Sequence, residues 1–309
     1  MDTRQLKAFI AVADTHSFTK AAQMLDYAQS SITGQVGSLE YELGIKLFER
    51  LGRQVMLTQE GKRFMVYAEK ILKLFSEAKE VVSESLIPRG TLIIAAPETL
   101  SAVRLPPLIQ QFHSLYPGVE IVLKKCSAKE LTTFLRNSQI DVAFLLGREM
   151  YFPDMVSEIL AFEQVVLVSG AGHPITGKIP ITARDIQGLT LVLCEGGCDY
   201  RMVFEKILHE AGVRSGPVLE FSSIEAIKRC VIQQLGITLL PRMAVEGELS
   251  RGELTDLQWQ GPDFDTNTQV VYHKDKWISP ALSAFLKLSR EMLAKDDYAV
   301  SSGSVFYSL

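Results

Sequence analysis

The stretch Ser17-Phe18-Thr19-Lys20-Ala21-Ala22, followed by Gln29-Ser30-Ser31-Ile32-Thr33-Gly34-Gln35, decides how the rest of the chain is read. Ser17 suits the N-cap of a helix over Phe18 to Leu25. Ala21 and Ala22 are small, so a neighbouring helix can come close. A break at Asp26-Tyr27-Ala28 precedes a second helical pattern from Gln29 to Leu43. Ile32, Val36, Leu39 and Leu43 share its inward face, and Gly44 suits a left-handed end. The outward face carries Gln29, Ser30, Thr33, Gly34 and Gln35, where a solvated helix more often carries Lys and Glu. Short neutral hydrogen-bonding groups can reach base edges and phosphates in a major groove. Two helices joined by a short turn, the second polar outward, form a helix-turn-helix. Upstream, Leu6, Phe9, Ile10 and Ala13 fall on one face of a further helix.

Downstream, Leu47-Phe48-Glu49-Arg50-Leu51-Gly52-Arg53-Gln54-Val55-Met56-Leu57-Thr58 reads as a small hairpin with its tip bracketed by Arg50 and Arg53. Alone, such a hairpin could equally be a solvated surface turn. Beside the two helices it reads as a wing for phosphate or minor-groove contact.

In this order the residues resemble the LysR-type transcriptional regulators: Phe18-Thr19-Lys20-Ala21-Ala22, Gln29-Ser30-Ser31-Ile32-Thr33, Leu39-Glu40, Leu43-Gly44, Leu47-Phe48-Glu49-Arg50, Arg53, and Leu57-Thr58 with Gly61. The likeness runs without gaps through the first 60 residues. It implies an α+β multidomain chain: an N-terminal winged helix-turn-helix, a long dimerising linker helix, and a two-lobed α/β effector domain of periplasmic-binding-protein type. Carried over by position, Gln29, Ser30, Ser31, Thr33 and Gln35 are expected to contact DNA from the recognition helix, and Arg50 and Arg53 from the wing. Three departures stand out. Ala28 replaces the usual serine cap, a loss of about 0.5–2 kcal/mol. Gly34 and Gly37 lie inside the recognition helix, where each costs about 1 kcal/mol against alanine. Position 34 is commonly a longer, often basic residue in the family.

From Thr58 to about Ile87 there is no proline, and glycine occurs only at Gly61. Phe64, Ala68, Ile71, Phe75, Ala78 and Val82 alternate spacings of four and three, a heptad seam. A helix of that length, roughly 45 Å, is expected to bury its seam against a second copy, giving a homodimer and a two-fold DNA site. Packing on its own effector domain is the alternative. Tetramers are implied by the resemblance alone.

Residues 91–295 alternate apolar strand-like runs with helical patterns, predicting mostly parallel sheets with helices on both faces. The expected boundaries are 1–58 for the DNA-binding domain, 59–89 for linker and hinge, 90–295 for the effector domain, and 296–309 for a loose tail. Within the effector domain, one lobe takes about 91–162 plus 268–295 and the other about 163–267. Ligands in such folds bind at the carboxyl ends of strands. The candidates there are Glu98, Thr99, Ser101, Ser127, Cys198, Tyr200, Arg201 and Ser222. Glu98 could favour an amine or pair with an arginine, and Arg201 could clamp a carboxylate. Local capping or a salt bridge between lobes is the plainer reading for each.

Cys194 and Cys198 lack the further ligands of a zinc site, so no metal and no cofactor beyond a small-molecule effector is expected. Cys198 matches the reactive cysteine of the peroxide-sensing family members, but Lys206, Ile207 and Leu208 stand where their resolving partner would be. A redox-responsive regulator through Cys198 is therefore an alternative, and a solute-binding protein is another. The five histidines are scattered, and no phosphate loop or nucleophile elbow is present, so no enzyme is expected. With 47% hydrophobic residues, 22% charged and a net charge of −4, the chain as a whole is not a basic nucleic-acid binder. Residues 1–63 carry eight Lys/Arg against seven Asp/Glu, so pattern and not charge makes the DNA case. No signal-peptide pattern or long apolar run appears, which points to the cytoplasm.

Overall fold

The computed structural model describes residues 1–51, 54–81, 87–126 and 128–293. The chain divides into two compact units, Met1–Leu86 with Arg136–Gln139, and Ile87–Leu135 with Ile140–Leu309.

The first unit opens with three helices, α1 (Thr3–Thr15), α2 (Phe18–Leu25) and α3 (Gln29–Leu43). Asp2 starts α1 in a reciprocal capping box with Gln5. The Ser17 hydroxyl accepts from the Lys20 amide, as its position suggested. Ala28 offers α3 no side-chain cap, and Gly44 ends it at φ 68°. Ala8, Val12, Ala21, Ala22, Ile32 and Val36 interlock at the centre. The buried Glu40 carboxylate accepts the Leu47 and Phe48 amides at 2.9 and 3.2 Å, fixing the path from α3 into the hairpin. That hairpin pairs β1 (Phe48–Leu51) antiparallel with β2 (Gln54–Leu57). Arg53 lies outside the described residues. Arg50 lies on β1, with its side chain outside them.

The linker helix is α4, Gln59–Val81, about 35 Å long. Part of the expected seam turns inward. Phe64, Ala68 and Ile71 pack with Leu6, Phe9, Leu39 and Leu47. The apolar surface left exposed is Tyr67, Leu74 and Phe75. The helix carries two apolar stripes, and the heptad reading merged them. Val82 and the residues to 86 lie outside the described set. Gly61 sits where an added Cβ would overlap the Leu47 carbonyl oxygen, so only glycine lets α4 cross this close.

The second unit holds two five-stranded sheets. In one, the order is β4 (Val119–Lys125), β3 (Gly90–Ala96), β5 (Val142–Gly147), β12 (Asn267–His273), β6 (Met155–Phe162). In the other it is β11 (Leu254–Asp256), β7 (Val165–Gly170), β10 (Ile237–Pro241), β8 (Leu191–Cys194), β9 (Val218–Phe221). Alternate side chains face opposite sides of each sheet. Ile94, Phe144 and Val270 pack with Phe112 and Phe285 on one side of the first sheet; Ala95, Ala143 and Val271 meet Leu131 on the other. The second sheet divides likewise between Leu167, Leu193 and Leu239, and Val166, Val168 and Val192.

The sheets are less parallel than expected. β3, β4 and β5 run parallel, as do β8, β9 and β10, but β12 and β7 are antiparallel to their neighbours. The chain passes between sheets twice, and strands that follow a crossing enter reversed. β6, β11 and α10 (Arg242–Ser250) had no sequence expectation. The residue pattern over Ser101–Tyr116 reads as one helix, but the structure has two, α5 (Glu98–Ala102) and α6 (Leu105–Leu115). Pro106 and Pro107 lack amide donors and belong in a first turn, so a new helix starts there. The remaining helices are α7 (Ala128–Arg136), α8 (Asp199–Glu210), α9 (Ile224–Ile232) and α11 (Pro280–Leu293).

Between β6 and β7, Glu163 is buried and takes both nitrogens of a two-pronged Arg104 contact at 3.1 and 3.0 Å. The Thr268 hydroxyl of the returning strand donates to the same carboxylate at 2.8 Å. One carboxylate thus ties both crossings together.

Urea unfolding tests these assignments. Gly37→Ala, whose added Cβ meets open space, is expected to stabilise the chain by about 1 kcal/mol. Gly61→Ala is expected to destabilise it by about 1–3 kcal/mol. Arg104→Met strands Glu163 and is expected to cost about 3–5 kcal/mol.

Candidate functional site

Two places carry chemistry, one in each unit. In the first, Gln29, Ser30 and Thr33 are exposed along α3, and Ser31 and Gln35 are half-buried. The Thr33 hydroxyl bonds back to the Gln29 carbonyl at 2.9 Å, and the Gln29 amide oxygen accepts from Thr19 at 3.2 Å. These contacts hold the exposed polar row in place at the start of α3. Added Cβ atoms at Gly34 and Gly37 would meet nothing within 4 Å, so the helix surface there is open.

In the second unit a cavity of about 470 Å³ gathers the turns that follow β3, β4, β5, β8 and β9. All five are the carboxyl ends of parallel strands, and helices begin after all of them but β5. Of the expected residues, Glu98, Thr99, Cys198, Tyr200 and Ser222 line it. Ser127 lies outside the described residues. Ser101 is on α5, its hydroxyl donating to the Pro97 carbonyl at 3.1 Å, and does not line the cavity.

Arg201 does not line it either. Its guanidinium donates to the Cys194 carbonyl, to Glu205 at 2.8 Å and to Glu220 at 2.7 Å. The carboxylate clamp expected of Arg201 is filled by the protein's own acids, and the residue braces β8 against β9. Glu98 does not pair with an arginine. Its carboxylate accepts the Ile224 amide at the start of α9, 3.2 Å away, from the opposite lobe.

Lys125 and Arg148 line the cavity and were absent from the sequence reading. Each follows or ends a parallel strand, the one signal that could have found them. Lys125 donates to the Ser222 carbonyl at 3.1 Å and lies 3.8 Å from Glu195. Arg148 reaches Asp199 through its amide at 2.7 Å and its guanidinium at 3.2 and 3.1 Å. Its hydrogen bond to the Asp199 carboxylate raises the Arg148 pKa. Gly147, at φ 153°, lies so close to Asp199 that an added Cβ would come within 2.7 Å of it. Glu98, Lys125 and Arg148 therefore make three polar ties across the cleft.

At its floor sit Cys194, Cys198 and Tyr200. Tyr200 is only 1% exposed, its hydroxyl buried beside the two thiols. Burial holds its pKa far above the ordinary tyrosine range. The Cys198 thiol, donating to a thiolate at Cys194, lowers the Cys194 pKa, with Tyr200 and Arg201 helping. The same interaction, with burial, pushes Cys198 up. Within this pair the lowered thiol is Cys194 and the raised one is Cys198. Cys126 is driven up to about 11 by burial. Among the described residues no group could hold a metal ion.

Alkylation by iodoacetamide, read by peptide mass spectrometry as pH rises, should modify Cys194 at lower pH than Cys198. Cys198→Ala should slow Cys194 by removing its donor. Equal reactivity of the two thiols would contradict the assignment.

Comparison with known proteins agrees with these features. Residues 3–62 match the bacterial regulatory helix-turn-helix protein, lysR family, and residues 87–294 match the LysR substrate binding domain. The HTH-type transcriptional regulator YwqM of Bacillus subtilis is 41% identical over 292 residues, covering 94% of this chain and 99% of that one. The HTH-type transcriptional regulator GltR of the same organism is 35% identical, covering 94% and 97%. Full-length OxyR from Pseudomonas aeruginosa has a similar fold, with TM-score 0.71 and 23% identity over 95% of this chain and 94% of that chain. So does full-length CbnR complexed with its target DNA, with TM-score 0.69 and 24% identity over 94% and 100%. The chain therefore belongs to the LysR family of DNA-binding transcriptional regulators, with a helix-turn-helix at its N-terminus and an effector-binding domain behind it.

Proposed function

We propose that the chain works in the cytoplasm as a homo-oligomeric regulator that reads DNA with α3 and its wing and responds to a small molecule in the cavity. The exposed polar row of α3 carries this reading. Gln29, Ser30, Ser31, Thr33 and Gln35 face the bases and nearby phosphates. Arg50 and Arg53 hold phosphates at the wing. With Gly34 at an open position, base preference rests on the remaining side chains of α3.

Tyr67, Leu74 and Phe75 leave an apolar stripe on α4 that suits a second copy of the helix. A dimer presents two α3 helices to a two-fold site. Pairing of dimers into tetramers extends the same plan. The effector contacts are Glu98, Thr99, Cys198, Tyr200 and Ser222, joined by Lys125 and Arg148, with Ser127 beside them in sequence. Ser101 and Arg201 support the walls. A ligand that alters the three ties across the cleft shifts the population between two lobe arrangements and so the spacing of the DNA-binding units. The chain acts by binding rather than catalysis.

Fluorescence anisotropy on the DNA upstream of its own gene, in rising salt with nonspecific competitor, tests this. Arg53→Ala should weaken binding to all sequences and lower the salt slope by about one. Gln29→Ala and Thr33→Ala should instead change base preference, each by about 1–3 kcal/mol at one position. An Arg53→Ala protein with unchanged affinity and slope would refute the wing assignment. Binding by the unsubstituted protein that vanished with salt on every duplex tried would count against sequence-specific regulation.

A further inference from the structure

The cavity's charges are unevenly committed. Among its described lining residues are four carboxylates, on Glu98, Glu130, Glu195 and Asp199, against two cations, on Lys125 and Arg148. Both cations are engaged, Lys125 with Ser222 and Glu195, Arg148 with Asp199. Glu98 differs from the other acids. Its one polar contact among the described residues is the Ile224 amide, and no cation stands beside it.

That position matters because the start of a helix is where an anionic ligand would ordinarily dock. Here the protein's own carboxylate already occupies the start of α9. At the start of α8, Asp199 is held by Arg148. An incoming carboxylate would find these two helix starts filled and would meet the unpaired charge of Glu98 in a half-open cleft. A ligand ammonium could approach Glu98 without breaking any tie, since a carboxylate oxygen pair has lone pairs to spare beyond one amide bond.

The rest of the lining is apolar or weakly polar: Leu145, Leu146, Met150, Phe221, Ile224 and Ile227. The geometry points to an amine with an apolar body as the effector class, its ammonium on Glu98 and its body on this apolar lining. This deepens the reading of the cavity as the effector site and rests on it.

The test uses the full-length protein and matched probes: benzylamine, benzyl alcohol and benzoate, and the corresponding naphthyl amine, alcohol and carboxylate. Alkylation of Cys194 and Cys198, which line the cavity, reports occupancy, and the thermal midpoint reports folding. The amines should slow alkylation at roughly tenfold lower concentration than the alcohols, and the carboxylates should have no effect. Glu98→Gln keeps the acceptor for the Ile224 amide but removes the charge, so it should erase the advantage of the amines. Glu98→Asp should retain part of it. Protection by the carboxylates equal to that by the amines, or an amine advantage that survives Glu98→Gln, would overturn the amine assignment and leave the cavity as a site. If no probe slowed alkylation in a protein with its full thermal transition, the cavity reading would fail and this inference with it.

Discussion

The Glu163 carboxylate, buried where the chain leaves one sheet for the other, is the contact on which the second unit depends. Arg104 neutralises it from the segment between α5 and α6, and Thr268 reaches it from the returning strand. A charge this deep is tolerated only when paired and hydrogen-bonded. The pair therefore specifies a single path for two crossings. With those crossings fixed, five parallel strand ends converge on one cavity. Stability and topology meet at one carboxylate.

Around the cavity the two lobes hold one another by ties weaker than that pair. Glu98 caps α9, Lys125 reaches Ser222, and Arg148 grips Asp199 with Gly147 pressed against it. These contacts are partly exposed, and exposed ion pairs contribute little. They can rearrange at small cost while the buried crossing stays intact. That difference in strength suits a switch: a stiff pivot and a soft clasp.

The N-terminal unit was legible because its signals are local. The Ser17 cap, the Gly44 terminator, the inward spacing of Ile32, Val36 and Leu39, and the arginine-flanked hairpin each act within a few residues. The linker helix was read less well. Its heptad spacing merged Phe64 and Ala68, which α1 buries, with Phe75, which remains exposed. One helix serves two neighbours, and periodicity alone does not separate them. In the second unit the strands of the parallel cores were plain as apolar runs. The edge strands β6 and β11 were not: one is mostly half-exposed and the other is three residues long. The site was half legible for the same reason. Glu98, Thr99, Cys198, Tyr200 and Ser222 follow strand ends visible in sequence. The engagement of Arg201 by Glu205 and Glu220, and of Arg148 by Asp199, depends on which strands become neighbours.

Selection of bound duplexes from a randomised DNA pool by the full-length chain, at physiological salt, tests the central claim most directly. The expected result is enrichment of one site made of two related half-sites in two-fold arrangement, as paired α3 helices require. Recovery of the pool without enrichment, or with affinity that tracks salt alone, would contradict the account of α3 as a sequence-reading helix.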